Sequence, residues 1–250
     1  MWRLFRSAFL SFVLLSFVLI PTTRAAERVD LLLVLATDVS RSVTPDKFKL
    51  QREGYAAAIA DPRVLDAIAA GRNRRIAVLF LEWSGFGNTK VVADWTIIDG
   101  PKAAREFGDR LLEEPRSFAG RTSISSGIEF AMAQIARAPF TAERQTIDVS
   151  GDGTNNSGRD VTVARDEALR LGIAINGLVI LSDNPLPWNP EHTNPPGGLA
   201  KYYRDNVIGG PGSFVIEAKD FNSFGQAIIK KMIAEIADAG PAAGAIANRR

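Results

Sequence analysis

The sequence contains no cysteine. Disulfides, thiolate nucleophiles, cysteine-bound metals and a cysteine-linked lipid anchor are therefore excluded, and stability has to come from an apolar core. Histidine is nearly absent as well: His192 is the single one. Imidazole clusters are ruled out, and histidine catalysis would rest on one residue in the proline-rich stretch "WNPEHTNPP", where a lone loop histidine reads as solvated. No G-x-S-x-G elbow and no phosphate-loop motif occurs. There is no internal repeat, no low-complexity block and no large excess of either charge, with 30 Lys and Arg against 28 Asp and Glu.

What is present is 250 residues at 46% hydrophobic composition, enough for one large domain with a buried core. The first 25 residues stand apart. "MWRLFR" is a positive start, Ala8 to Ile20 is an apolar run, and Thr23 and Ala25 fit the small positions before a cleavage site, so residues 1–25 read as a secretory signal peptide. An uncleaved anchor is the competing reading, but the run is short for a span. Loss of Arg3, Arg6 and Arg24 lowers the basic residues from 30 to 27 against 28 acidic ones, a net charge near −1. Nucleic-acid binding loses its electrostatic case, and no stable membrane insertion is expected after cleavage. The protein is expected to be exported, to the periplasm.

Past the signal, apolar runs alternate with amphipathic stretches. "RVDLLLVLAT" is continuous enough for a central parallel strand buried on both faces. Thr44 and Pro45 are an N-cap and a first helical residue, and the helix they start is expected to run through "DKFKLQREGYAAAIADPRVLDAIAA". "RRIAVLFLEW" and "TKVVADWTII" read as strands joined by "SGFGN", too short for a helical crossover, so the second of them should be an antiparallel edge. Further strands are read at "RQTIDVSG", "IAINGLVIL" and "SFVIEA", with helices at "GPKAAREFGDRLLEE", "SISSGIEFAMAQIARA", "RDVTVARDEALRLG" and "FNSFGQAIIKKMIAEIADAG"; residues 239–250 read as a disordered tail. The fold class is α/β: a three-layer, doubly wound sandwich on a mostly parallel six-stranded sheet with one antiparallel edge strand.

Ligands in such sheets bind at the carboxyl ends of strands. Asp38, Ser40 and Ser42 follow the first strand, Thr122 precedes a helix, and Asp152 ends the strand "RQTIDVSG". Five hard oxygen donors without thiol or imidazole suit Mg2+, or another divalent cation such as Mn2+ or Ca2+. Capping and turn roles are the competing readings for the serines and for Asp152-Gly153.

Taken together, "DVSRS", "GRTSI" and "VSGDGTNN" resemble the metal-ion-dependent adhesion site of von Willebrand factor type A (vWA) domains, over residues 29–238. The resemblance implies a vWA/Rossmann-like fold in which Ser40, Ser42 and Thr122 hold the ion directly while Asp38 and Asp152 act mostly through water. It also implies a partner protein whose Asp or Glu completes the metal shell. "YYRDNVIGGPGSFV" is similar to a bacterial family of exported vWA-like proteins of unknown function. One departure stands out: Gly151 lies where the family more usually has Thr beside the ligand Asp, which leaves the loop looser. The long stretch from Ser182 to Gly212 is expected to shape partner selection, with a decorative insertion as the alternative.

No catalytic residue is expected. The alternatives are an envelope scaffold whose metal serves folding only and, further off, a metal-dependent phosphoester hydrolase on the same five oxygens. Arg41 and Arg121 flank the candidate ligands and read as solvent-facing. Trp83 and Trp95 read as packing aromatics. Glu82 lies near the rim but is not assigned to it.

Overall fold

The computed structural model describes residues 26–181 and 189–237. The expected signal peptide and tail, and Trp188, lie outside these residues. In chain order the elements are β1 (Glu27–Arg28), β2 (Leu32–Asp38), α1 (Pro45–Ile59), α2 (Pro62–Ala69), β3 (Ile76–Trp83), β4 (Thr89–Ile98), α3 (Pro101–Glu113) and α4 (Ile124–Ala136). They continue with β5 (Phe140–Thr141), β6 (Gln145–Gly151), α5 (Val161–Arg170), β7 (Ala174–Ile180), α6 (Pro190–Thr193), α7 (Leu199–Asn206), β8 (Val215–Ala218) and α8 (Phe224–Ala237).

Six strands form the main sheet in the order β4-β3-β2-β6-β7-β8, with β4 antiparallel to β3 at one edge and every other pairing parallel. The edge and its direction are those expected from the short "SGFGN" link. A two-residue parallel pairing of β1 with β5 lies outside it. β2 occupies the middle of the sheet, and all of its residues are buried.

The alternation of side chains along a strand divides the core into two layers. Leu31, Leu33 and Leu35 pack with Tyr55 and Ile59 of α1, Phe107 of α3, and Phe224 and Met232 of α8. Leu32, Val34 and Ala36 pack on the other face with Ile124 and Ile128 of α4, Val161 of α5 and Tyr203 of α7. Each apolar run is continuous because both of its faces are covered. Trp83 is fully buried in the second layer, and Trp95 Nε1 donates to the Gln134 carbonyl at 3.1 Å, so both tryptophans are packing residues.

The helix expected from Pro45 to Ala70 is two helices. Pro62 has no N–H for a continuing helical bond, and Asp61 caps a fresh start by accepting from Arg63 N at 2.9 Å. The start at Thr44 and Pro45 is as read, with the Thr44 hydroxyl accepting from Lys47 N. The stretch between β7 and β8 holds α6 and α7, so its described part is structured and packed rather than a free loop.

Candidate functional site

The carboxyl end of β2 delivers Asp38 into the interior, fully buried. Its Oδ1 accepts the Ser40 N–H at 2.6 Å, which closes the turn after the strand. Ser40 Oγ lies 3.0 Å from Ser42 Oγ, and Ser42 Oγ donates to Asp152 Oδ1 at 2.6 Å. The alternating rhythm of D-x-S-x-S thus sets three side chains in a row, and the end of β6 brings Asp152 to meet the last of them.

Thr122 stands just before α4 and joins from the opposite wall. Its N–H donates to Asn156 Oδ1 at 3.0 Å, its carbonyl accepts Asn156 N–H at 2.8 Å, and its Oγ1 lies 3.2 Å from His192 Nε2. Thr122 and Ser42 line one cleft of about 210 Å3 with Arg41, Arg121, Asn156 and His192. Four of the five expected residues, Asp38, Ser40, Ser42 and Asp152, are linked by hydrogen bonds, and Thr122 shares a cleft with Ser42.

Burial pushes the Asp38 carboxyl up to about 8, and the Asp152 charge pushes it in the same direction. Two carboxylates have been brought into one desolvated corner, and Asp38 Oδ2 and Asp152 Oδ2 make no hydrogen bond there. Lys47 Nζ, at 3.7 Å from Asp152 Oδ2, is a distant counter-charge. This arrangement fits a small hard cation. The oxygen-to-oxygen spacings of 2.6 and 3.0 Å are close to the edge of about 3 Å expected for octahedral oxygen coordination at 2.0–2.1 Å. Among the described residues no three His, Cys, Asp or Glu side chains are grouped as a metal cluster, so hydroxyls have to carry part of any coordination.

Several partners lie beyond the motif. Arg116, in the chain between α3 and α4, donates to the carbonyls of Val39, Ser40 and Val43 at 2.6, 2.7 and 2.7 Å, and so ties down the backbone of the D-x-S-x-S turn. His192 is 4% exposed and therefore not solvated. Its Nδ1 lies 3.2 Å from both Thr154 Oγ1 and Asn156 Nδ2, and burial lowers its pKa, keeping the ring neutral. Tyr203 is fully buried and held well above the usual phenol pKa by desolvation, with the Asp38 and Asp152 charges adding to the effect.

Arg121 is exposed but not free: its Nη2 donates to the Asn156 carbonyl at 2.6 Å. Arg41 is exposed at the cleft mouth, as expected. Glu82 is buried against Arg52 at 2.6 Å and accepts Ser117 N–H at 2.9 Å, so it braces the scaffold. The sequence signals for the missed residues were thin. Asn156 lies within "SGDGTNN" and Tyr203 within "YYRDNVIGGPGSFV", His192 was marked only by rarity, and Arg116 by nothing.

A family model described as "Protein of unknown function (DUF1194)" matches residues 28–240. The chain belongs to this family. Among curated proteins no sequence matches it. Solved structures of similar fold include the pilus adhesin SpaC from Lactobacillus rhamnosus GG, with TM-score 0.58 and 12% identity over 86% of this chain and 31% of that one. A second is proximal thread matrix protein 1 from the mussel byssus with a zinc-occupied MIDAS motif, with TM-score 0.54 and 14% identity over 83% and 48%. A third is the von Willebrand factor type A protein from Catenulispora acidiphila, with TM-score 0.51 and 15% identity over 84% and 43%. The chain spans less than half the length of each of these structures. The fold of this family member is thus the vWA fold, a Rossmann-like sandwich.

Proposed function

We propose that this family member is an exported, periplasmic binding protein that holds a divalent cation through Asp38, Ser40, Ser42, Thr122 and Asp152 and uses it to engage an acidic residue of a partner protein. The observation that carries the reading is the pair of buried carboxylates with unsatisfied oxygens, joined through Ser40 and Ser42 to a cleft that Ser42 and Thr122 line. Mg2+ is the favoured ion on donor chemistry, with Mn2+ and Ca2+ as alternatives. The zinc-occupied MIDAS motif of the mussel protein supports a divalent cation at this corner of the fold.

When bound, the ion supplies electrophilic attraction for an external carboxylate, because the hydroxyl ligands leave its charge largely unneutralised. The chain's own residues do the rest. Ser40 and Ser42 present oxygens from a turn fixed by Arg116, and Asp152 anchors Ser42. Arg41 and Arg121 stand at the cleft mouth, where guanidinium groups favour an acidic side chain. Phe86, 70% exposed on the β3–β4 hairpin beside Ser157, offers an apolar contact next to the cleft. The single imidazole is engaged, with His192 held by Thr122, Thr154 and Asn156, which favours binding over turnover.

Calorimetric titration with Mg2+ tests the site. Asp38→Ala and Thr122→Ala should each abolish or strongly weaken the heat of binding, and unchanged affinity in both variants would sink the assignment. A pull-down from envelope extract, run with Mg2+ and with chelator, tests the use of the ion. A partner captured only with Mg2+ and wild-type bait supports ion-bridged recognition, whereas capture indifferent to chelator assigns the ion to folding alone.

A further inference from the structure

Helices α6 and α7, between β7 and β8, reach into the site at two points. At the first, the carbonyl of His192 in α6 accepts Thr154 N–H at 2.9 Å, and its ring lies so close to Gly153 that a Cβ there would come within 2.3 Å of Cε1 and Nε2. The ring's tautomer follows from its neighbours. Asn156 Oδ1 is taken by the Thr122 N–H, so Asn156 Nδ2 faces His192 Nδ1 and donates to it. The imidazole proton is therefore on Nε2, 3.2 Å from Thr122 Oγ1, and it donates to that hydroxyl.

At the second point, α7 brings the Tyr203 hydroxyl to the space a side chain at 151 would fill. A Cβ at Gly151 would meet Tyr203 Oη at 2.7 Å and Asp38 Oδ2 at 3.2 Å. Both of those oxygens are buried and neither has a hydrogen-bond partner. A phenol that needs an acceptor and a carboxylate oxygen that needs a donor border the same gap, where one bridging water would satisfy both.

We infer that helices α6 and α7 form the outer shell of the ion site, with His192 positioning Thr122 and Tyr203 positioning Asp38. The inference rests on the ion-binding reading above. It assigns these residues to ion affinity in place of the partner selection expected from sequence. A hydroxyl accepting from His192 is held with its remaining lone pair toward the ion. A carboxylate accepting from Tyr203 is held at the orientation that Ser40 has set. Groups in this role typically affect metal affinity by about 10- to 100-fold.

The test is calorimetric titration of the purified protein with Mg2+ and with Mn2+, in wild type and in Asp38→Ala, Tyr203→Phe, His192→Leu and His192→Gln, with unfolding midpoints recorded in chelator. Tyr203→Phe and His192→Leu should weaken both ions by about tenfold or more. His192→Gln, which keeps an N–H donor near the Nε2 position, should restore most of the affinity lost in His192→Leu. A role in packing alone would move the chelator midpoints and leave both affinities at the wild-type value, which overturns the inference. If His192→Leu does not fold, Tyr203→Phe decides, since it removes one oxygen without changing shape. Binding by wild type that Asp38→Ala loses and Tyr203→Phe keeps defeats this inference alone. Absence of binding by wild type defeats the ion-binding reading as well.

Discussion

At the scale of single residues, two glycines on either side of Asp152 show why the site is built as it is. Gly151 and Gly153 have no φ that demands glycine, but each stands where a side chain would displace a polar group of the site. Gly153 is the sharper case, because the imidazole ring occupies its Cβ position and the ring is tied on both nitrogens. Gly153→Ala should push α6 off the loop and expose His192. The expected result is a loss of about 1–3 kcal/mol in denaturant unfolding, as for other insertions into packed sites, with weaker Mg2+ binding. A wild-type unfolding curve for this variant would mean that the ring is loosely seated. From the sequence, "SGDG" read as a turn or as a ligand; its glycines make room for residues some 40 to 50 positions further on, and pairings of that range leave no local trace.

At the scale of elements, most of the sheet could be read because its strands are uniformly apolar and their ends carry polar punctuation. β4 was recognisable as an antiparallel edge from the length of one link. The break at Pro62 was missed because the apolar stripe continues across it while the backbone cannot. α6 was missed because four residues have no periodicity to detect, and tertiary contact alone holds them. Arg116 was invisible for a different reason: its partners are carbonyls, which every residue has. Arg116→Met should therefore release the turn between β2 and α1. Charged hydrogen bonds to backbone contribute about 1.5–3 kcal/mol, and a fall in stability of that order is expected. Hydrogen exchange at the amides of Ser40 to Val43 should speed up, while α8 amides stay protected until global unfolding. Uniform acceleration across the chain would show that Arg116 supports the fold at large and has no special hold on the turn.

At the scale of the whole molecule, the sheet carries a second buried polar group, on the face opposite to α4 and α5. Asp148 of β6 lies on the same face as Leu35, with Lys231 of α8 2.7 Å away, and Lys231 also pairs with Glu235. Asn176 of β7 donates to Glu235 Oε1 at 3.0 Å. Lys231, Asp148 and Glu235 are each within 2% of complete burial, and one ammonium faces two carboxylates. Burial pushes Asp148 up to about 7; the Lys231 charge opposes the rise and the Glu235 charge adds to it. In the unfolded chain the same carboxyl titrates near 3.8. Between these values the folded protein holds a proton that the unfolded chain has released, so this group favours folding most at low pH. The contribution is lost as pH rises through about 7. Removing Lys231 would leave two buried carboxylates without a counter-charge, a loss of about 3–5 kcal/mol, so the informative substitution is Asp148→Asn, which keeps the shape and removes the titration. Urea unfolding in chelator at pH 5, 6, 7 and 8 should show wild-type stability falling with pH more steeply than that of Asp148→Asn. Parallel pH profiles for the two proteins would place the titration elsewhere. Such an anchor binds α8 to β6 and β7 through charge and amide contacts rather than apolar contact alone, and it does so away from the ion cleft. Ion binding and the Asp148 share of the pH response should therefore separate: Asp148→Asn should leave Mg2+ affinity at the wild-type value and lessen the slope of the pH profile, with the slope due to Asp38 remaining.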